Sequence, residues 1–146
     1  MEIVKLNTMV IVGYIVTCAY ESLFDEVPKL YEKFQQNKDL IKETLNPDVL
    51  DITIKVENHL FTQMVGINVP EDIVIPDEFK RVVLEEAYYI KALHEGNPRL
   101  IWETFKAMQV YAKTKEIAID PLDSKIDLYH QENNTHTLYQ KIIKSN

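Results

Sequence analysis

The chain states one arrangement twice, and that repetition constrains its fold more than any single motif. A β-branched run from Met9 to Tyr20 leads into a helical stretch, Glu21 to Glu43, and then into two short alternating runs, Leu50 to Glu57 and Leu60 to Val69. After Pro76 the order returns. A β-rich run from Phe79 to His94 precedes a helical stretch, Pro98 to Lys113, and the alternating runs Ser124 to His130 and Thr135 to Ile142. Two β-α-β-β units predict a pseudo-two-fold α+β object, an antiparallel sheet packed on two helices with a ligand-sized groove at the seam.

With 146 residues, 46% of them hydrophobic, and nothing resembling a linker, the chain is expected to form one domain over 1–146, its halves meeting near residue 75. Net charge is -7 with the basic residues scattered, so the footprint needed to bind a phosphate backbone is missing and no direct nucleic-acid partner is expected. Cys18 is the single cysteine, and the dispersed His59, His94, His130 and His136 lack ligand spacing, so neither a disulfide nor a metal is expected. The Met9 to Tyr20 run is too short to span a bilayer and has no cleavage pattern. A soluble, cytoplasmic protein with no membrane partner is the expectation.

Val10, Ile11, Val12, Ile15, Val16 and Thr17 suit a strand buried on both faces. In the first helix Phe24, Val27, Leu30, Tyr31 and Phe34 form an apolar stripe, and Pro28, which clashes in mid-helix, marks the expected start of the regular helix. Ile52, Ile54 and Val56 alternate with Asp51, Thr53 and Lys55, a strand with one wet face, while Gly66 in the next strand signals a bend or a close approach of another backbone. Asn97 and Pro98 are the N-cap and first position of the second helix, whose stripe is Leu100, Ile101, Phe105, Met108 and Ala112, with Trp102 at its flank.

Several strings, in their order, resemble the GyrI-like small-molecule-binding domain, the effector-binding domain of many bacterial regulators. They are Val12-Gly13 with Tyr20, the helix segment Val27 to Phe34, the strand Phe61 to Val69, Ile75 to Phe79, Tyr88, His94-Glu95-Gly96, and Ile126 to Tyr129. The resemblance covers nearly the whole chain. It implies a groove for flat, hydrophobic, often cationic molecules and an acidic residue in the fifth strand. Asp127 stands where that pattern usually has glutamate, Gln63 where it has an aromatic, and Glu78 and Glu86 lie in turns where it has glycines. Some relatives look like hydrolases of cyclopropane-bearing toxins.

Asp127 lies between Ile126 and Leu128, so if those two face the helices its carboxylate points to the opposite face, and the resemblance makes that face the groove. The competing reading is a solvated carboxylate on an open sheet. Ile101 and Trp102 in the first turns of the second helix, and Phe24 at the approach to the first, would meet at the seam; core packing competes for all three and is the stronger reading for Phe24, whereas core and groove both fit Trp102. Tyr129, Phe61 and Gln63 share groove parity, and on the last strand His136 with Leu138 are preferred to Thr137 with Tyr139 unless a β-bulge intervenes. Tyr88, in register with Ile90 and Ala92, reads as packing.

No nucleophile elbow or phosphate loop is present, so the expectation leans away from an enzyme and no cofactor is implied. The leading expectation is a stand-alone module that binds hydrophobic, cationic drug-like molecules; the alternatives are a small hydrolase of electrophilic toxins and a gyrase-interacting protein. A first strand within ten residues of Met1 leaves no room for a helix-turn-helix before it. Gene regulation would then require a protein partner such as a DNA-binding regulator.

Overall fold

A computed structural model describes residues 1–144. Its nine strands pair antiparallel into one sheet: β1 (Glu2–Leu6), β2 (Met9–Ala19), β3 (Asn46–Glu57), β4 (Leu60–Val69), β5 (Lys80–Leu84), β6 (Ala87–His94), β7 (Ala118–Ile119), β8 (Lys125–His130) and β9 (Thr135–Ile143). The helices are α1 (Leu23–Asn37) and α2 (Ile101–Thr114). Strand order is β1-β6-β9-β8-β3-β4-β2-β5, with β7 short and paired to β9. The expected duplication is therefore present: β2-α1-β3-β4 and β6-α2-β8-β9 meet where β3 pairs with β8.

Three strands escaped the sequence reading, the two-residue β7 among them. The chain enters the sheet at Glu2 rather than Met9, and the run from Phe79 to His94 is broken at Glu85-Glu86 into β5 and β6. Each half lends its short leading strand to the other: β1 pairs with β6, and β5 with β2. Local pattern does not reveal such an exchange, because five-residue edge strands bury little. The two glutamates in the turns are tied down, Glu78 by the Tyr14 hydroxyl, which donates to Oε2 at 2.8 Å, and Glu86 by the Lys5 ammonium at 2.5 Å.

Both faces of the sheet are buried, by different means. On one face α1 lays Val27, Leu30, Tyr31 and Phe34 over Val10, Val12, Val65 and Ile67, while α2 lays Phe105, Met108 and Ala112 over Ile90, Leu138 and Ile142. The other face holds Ile11, Leu50, Ile52, Met64, Tyr89 and Ile126 with no helix residue among them; the edge strands contribute Val4, Leu6, Val82 and Leu84 as the sheet curls over itself. Burial of such apolar surface is worth about 25 cal/mol per Å², so the curl is as much a core as the helix layer.

The curl requires close backbone contact. Gly13 and Gly66 are register partners, and a Cβ at Gly13 would sit 1.9 Å from the Val65 carbonyl oxygen. This is the close approach expected of Gly66. The α1 start is a correction: the helix begins at Leu23 and carries Pro28 inside it. Pro28 removes the donor that the Phe24 carbonyl would receive, a loss placed at an exposed first turn, and the α-helix continues through it. The α2 boundary is as expected, with the Asn97 side chain accepting from the Arg99 backbone N–H at 3.0 Å and Pro98 opening the turn that leads into the helix.

Candidate functional site

The helices leave the centre of the sheet uncovered. Neither helix-packed cluster includes a residue of β8, and β3 contributes only Val49. The helix-side face of these two strands is thus the floor of a trough with α1 and α2 as its walls. Asp51 and Asp127 are register partners on that floor, Asp51 also paired with Val65 and Asp127 with Leu138, both of which lie under helices. Directly opposed residues of an antiparallel pair hold their Cβ atoms about 4.5–5.5 Å apart.

The face assignment corrects the sequence reading. Ile126 and Leu128 point into the curl, away from the helices, so Asp127 lies on the helix-bearing face. The premise failed because the sheet supplies a second apolar layer of its own. Asp51 is corrected likewise, from a wet face to a partly buried floor, and the alternation of β3 breaks at Ile54, where the register slips between Thr53 and Lys55.

Each carboxylate has a dedicated donor. The Gln63 side-chain amide donates to Asp51 Oδ1 at 2.8 Å, and its own Oε1 accepts from the Thr53 hydroxyl at 3.0 Å, which fixes the amide orientation. His136 Nδ1 donates to Asp127 Oδ1 at 2.7 Å, while the Tyr129 ring stacks on the imidazole at 4.7 Å between centroids. Registers show that these are one arrangement under the pseudo-two-fold: Asp51 corresponds to Asp127, Gln63 to His136 and Thr53 to Tyr129. Burial pushes the Asp51 carboxyl up to about 7; the Gln63 hydrogen bond opposes this, the facing Asp127 charge adds to it, and His136 offsets part of it.

His136 is buried, and its Nε2 has no hydrogen-bond partner among the described residues. Asp127 itself is not in bulk water, its side chain being 16% exposed.

Each helix start carries an exposed aromatic ring. Phe24 and Trp102 are the second residues of α1 and α2, and both are exposed, 67% and 53% respectively. The core reading of Phe24 does not hold. Tyr20 joins Phe24 at 5.6 Å and Phe61 at 5.7 Å in one aromatic cluster at the α1 start. Tyr31, which the sequence assigned to the core stripe, is close enough to Tyr129 that burial and that neighbour raise its hydroxyl above the usual range. Ile101 packs partly into the cluster under α2.

Leu138 is a further correction. It shares the face of His136 and Asp127, with no bulge in the β8–β9 register, but it is fully buried beneath α2 and presents no surface to a ligand. Gln63, with both ends of its amide engaged, likewise positions Asp51 rather than facing the trough. Tyr88 packs beside Ile90 and Ala92 under α2, as expected. Asp51 was the residue sequence reasoning missed, although the mirrored triplets Leu50-Asp51-Ile52 and Ile126-Asp127-Leu128 mark it.

Two open surface depressions lie elsewhere. One of about 360 Å³ is lined by Asp48, Leu93, Glu95, His130 and residues of the β8–β9 turn; another of about 420 Å³ sits between Met1, Leu93 and the outer flank of α2. Neither touches the twin carboxylates. In the first, His130 is bound by Asp48 at 3.1 Å and by the buried Thr137 hydroxyl at 2.6 Å. Among the described residues no group of histidine, cysteine, aspartate or glutamate side chains is arranged to hold a metal ion, and no helix is long and apolar enough to cross a membrane.

A duplicated β-α-β-β chain, its curled antiparallel sheet carrying two helices, is a GyrI-like domain. The sequence model of the Cass2 family, integron-associated effector-binding proteins, matches residues 2–142, and the chain belongs to that family. Among solved structures it resembles SAV2435 bound to tetraphenylphosphonium, with TM-score 0.79 and 12% identity over 97% of this chain and 93% of that one. It also resembles the integron cassette protein VCH_CASS2 from the mobile metagenome of Vibrio cholerae, with TM-score 0.73 and 14% identity over 97% and 95% of the two chains. The C-terminal domain of EcmrR superposes with TM-score 0.70 and 9% identity over 99% and 97%. Comparison with curated protein sequences finds no significant match. The chain is thus an effector-binding protein, a family role that supports binding of a small molecule.

Proposed function

We propose that the trough binds hydrophobic cations of drug-like size, so that the protein senses or sequesters them. The observation that carries this reading is the pair of carboxylates at the centre of the uncovered strip, shielded from bulk water, with the Tyr129 ring stacked on the His136 imidazole that holds Asp127. A carboxylate about 4 Å from a cation contributes roughly 4 kcal/mol at an effective dielectric near 20, before desolvation is subtracted. Phe24, Trp102, Tyr129 and Tyr31 offer ring faces worth about 0.5–2 kcal/mol each to a cation they cover. The tetraphenylphosphonium bound to SAV2435 is a ligand of this chemical type.

Sensing, as distinct from sequestration, requires a partner that reads the occupied state. The likeness to the EcmrR C-terminal domain, whose parent chain was solved in a complex with DNA, supports a DNA-binding regulator in that role. Binding is testable directly, because Trp102 is the only tryptophan and stands at the trough wall. Titration with tetraphenylphosphonium should quench its fluorescence saturably, and Asp127→Asn should weaken the affinity at least about tenfold, equivalent to roughly 1.4 kcal/mol. Absence of saturable binding by the wild-type protein refutes the proposal.

A further inference from the structure

We infer that Asp51 is a second ligand-binding carboxylate of this trough, holding a proton while the trough is empty and giving it up when a cation settles over the Asp51–Asp127 pair. This rests on the reading of the trough as a cation site and adds to it a chemical coupling: cation in, proton out.

The geometry sets up the exchange. Two carboxylates that are register partners on a partly buried floor repel one another when both are ionised, and among the described residues no basic side chain is hydrogen-bonded to Asp51 to relieve this. The duplication places them there, each with its own donor from the neighbouring strand, and the donors differ in one respect. Gln63 is a neutral amide, held by Thr53, whereas His136 is an imidazole. The two halves of one symmetric arrangement are therefore electrostatically unequal. Asp51, whose donor is the neutral amide, is the member that retains a proton.

The remaining groups that face the pair do not replace a ligand cation. On β8 Tyr129 is engaged with Asn134, and Lys125 is paired with Asp123 at 2.6 Å. On β6 His94 is held by Thr104 and by the Asn97 carbonyl, its ring 6.2 Å from that of His136. From α1 Tyr31 comes close to Tyr129, and Glu26 lies near Cys18 of β2. From α2 the flanking side chain is Trp102, and β4 brings only the Gln63 amide. A bound cation supplies the missing positive charge, and the balance is one cation taken up for up to one proton released to solvent.

Calorimetry with tetraphenylphosphonium tests this in two buffers of different ionisation enthalpy. At pH 6.5 the observed heat should differ between buffers in the amount expected for release of most of one proton, and at pH 8.5 the difference should vanish. The affinity should rise about tenfold from pH 6 to pH 8, the ratio set by a group that titrates near 7 and is fully displaced. Asp51→Asn should still bind the cation, more weakly than wild type at pH 8, with an affinity flat across that range and no proton release. Wild-type binding with buffer-independent heat at pH 6.5 overturns the inference while leaving the cation site standing, as does persistent release in Asp51→Asn. A second measurement needs no ligand: the Asp51 carboxyl carbon, followed by NMR, should titrate near 7 and fall in Asp127→Asn. Titration in the usual carboxylate range overturns the inference.

Discussion

Replacing Asp51 by asparagine should stabilise the protein, by an amount that grows as pH rises from about 4 and is largest above about 7. Asparagine keeps an oxygen to accept the Gln63 amide at the position now bonded at 2.8 Å, so the hydrogen-bond pattern survives and the charge alone is removed. The Asp51 carboxyl is raised by burial from 3.8 to about 7, so between those values the folded state binds a proton that the unfolded state has released. Stability from this group is complete below the unfolded value and is lost as pH rises through the folded one. Each unit corresponds to about 1.4 kcal/mol, which makes the cost above pH 7 roughly 4 kcal/mol and the change between pH 5 and 8.5 about 3 kcal/mol. Partial solvent access to the side chain makes these ceilings. Urea denaturation of both proteins at pH 5, 7 and 8.5 reads the effect as a gap in midpoint that widens with pH in favour of the variant. A gap independent of pH, or a variant less stable than wild type at pH 8.5, refutes the reasoning, because the carboxylate would then be at least as well solvated in the fold as out of it.

Trp102→Ala should weaken tetraphenylphosphonium binding by roughly 2- to 30-fold in calorimetry, the range of a lost cation–π contact, while the melting temperature stays close to wild type because the side chain is 53% exposed. Gly13→Ala should destabilise the fold by about 3 kcal/mol or more, since the added Cβ meets the Val65 carbonyl oxygen at 1.9 Å and backbone rather than side chain must move; denaturation midpoints, or loss of soluble protein, report it.

The candidate site was legible in part. Of the two faces that parity left open on the last strand, the preferred one, with His136, is the face that carries Asp127, because no bulge intervenes between β8 and β9. Trp102 could be placed at the second helix start from its capping signal and helical spacing, whereas Phe24, expected on the approach to the first helix, lies in its first turn. Asp51 was hidden by its neighbours: Ile52, Thr53 and Ile54 alternate as any half-wet strand does, and only the pairing with Asp127 shows that this face is shielded. Leu138 illustrates the converse, since parity located it correctly and burial under α2 removed it from the surface.

The order of elements, the duplication and most boundaries follow from the sequence, because hydrophobic period, caps and turn residues act over a few positions along the chain. Which face of the sheet became the trough did not. That depended on the two halves exchanging β1 and β5 and curling the sheet until its other face had a core of its own, a result of contacts between residues some 80 positions apart, such as Ile3 with Ile90 and Val10 with Val83. Local periodicity distinguishes two faces of a strand; it takes the assembled sheet to decide which of them meets a helix, which meets the curl, and where two carboxylates are brought together.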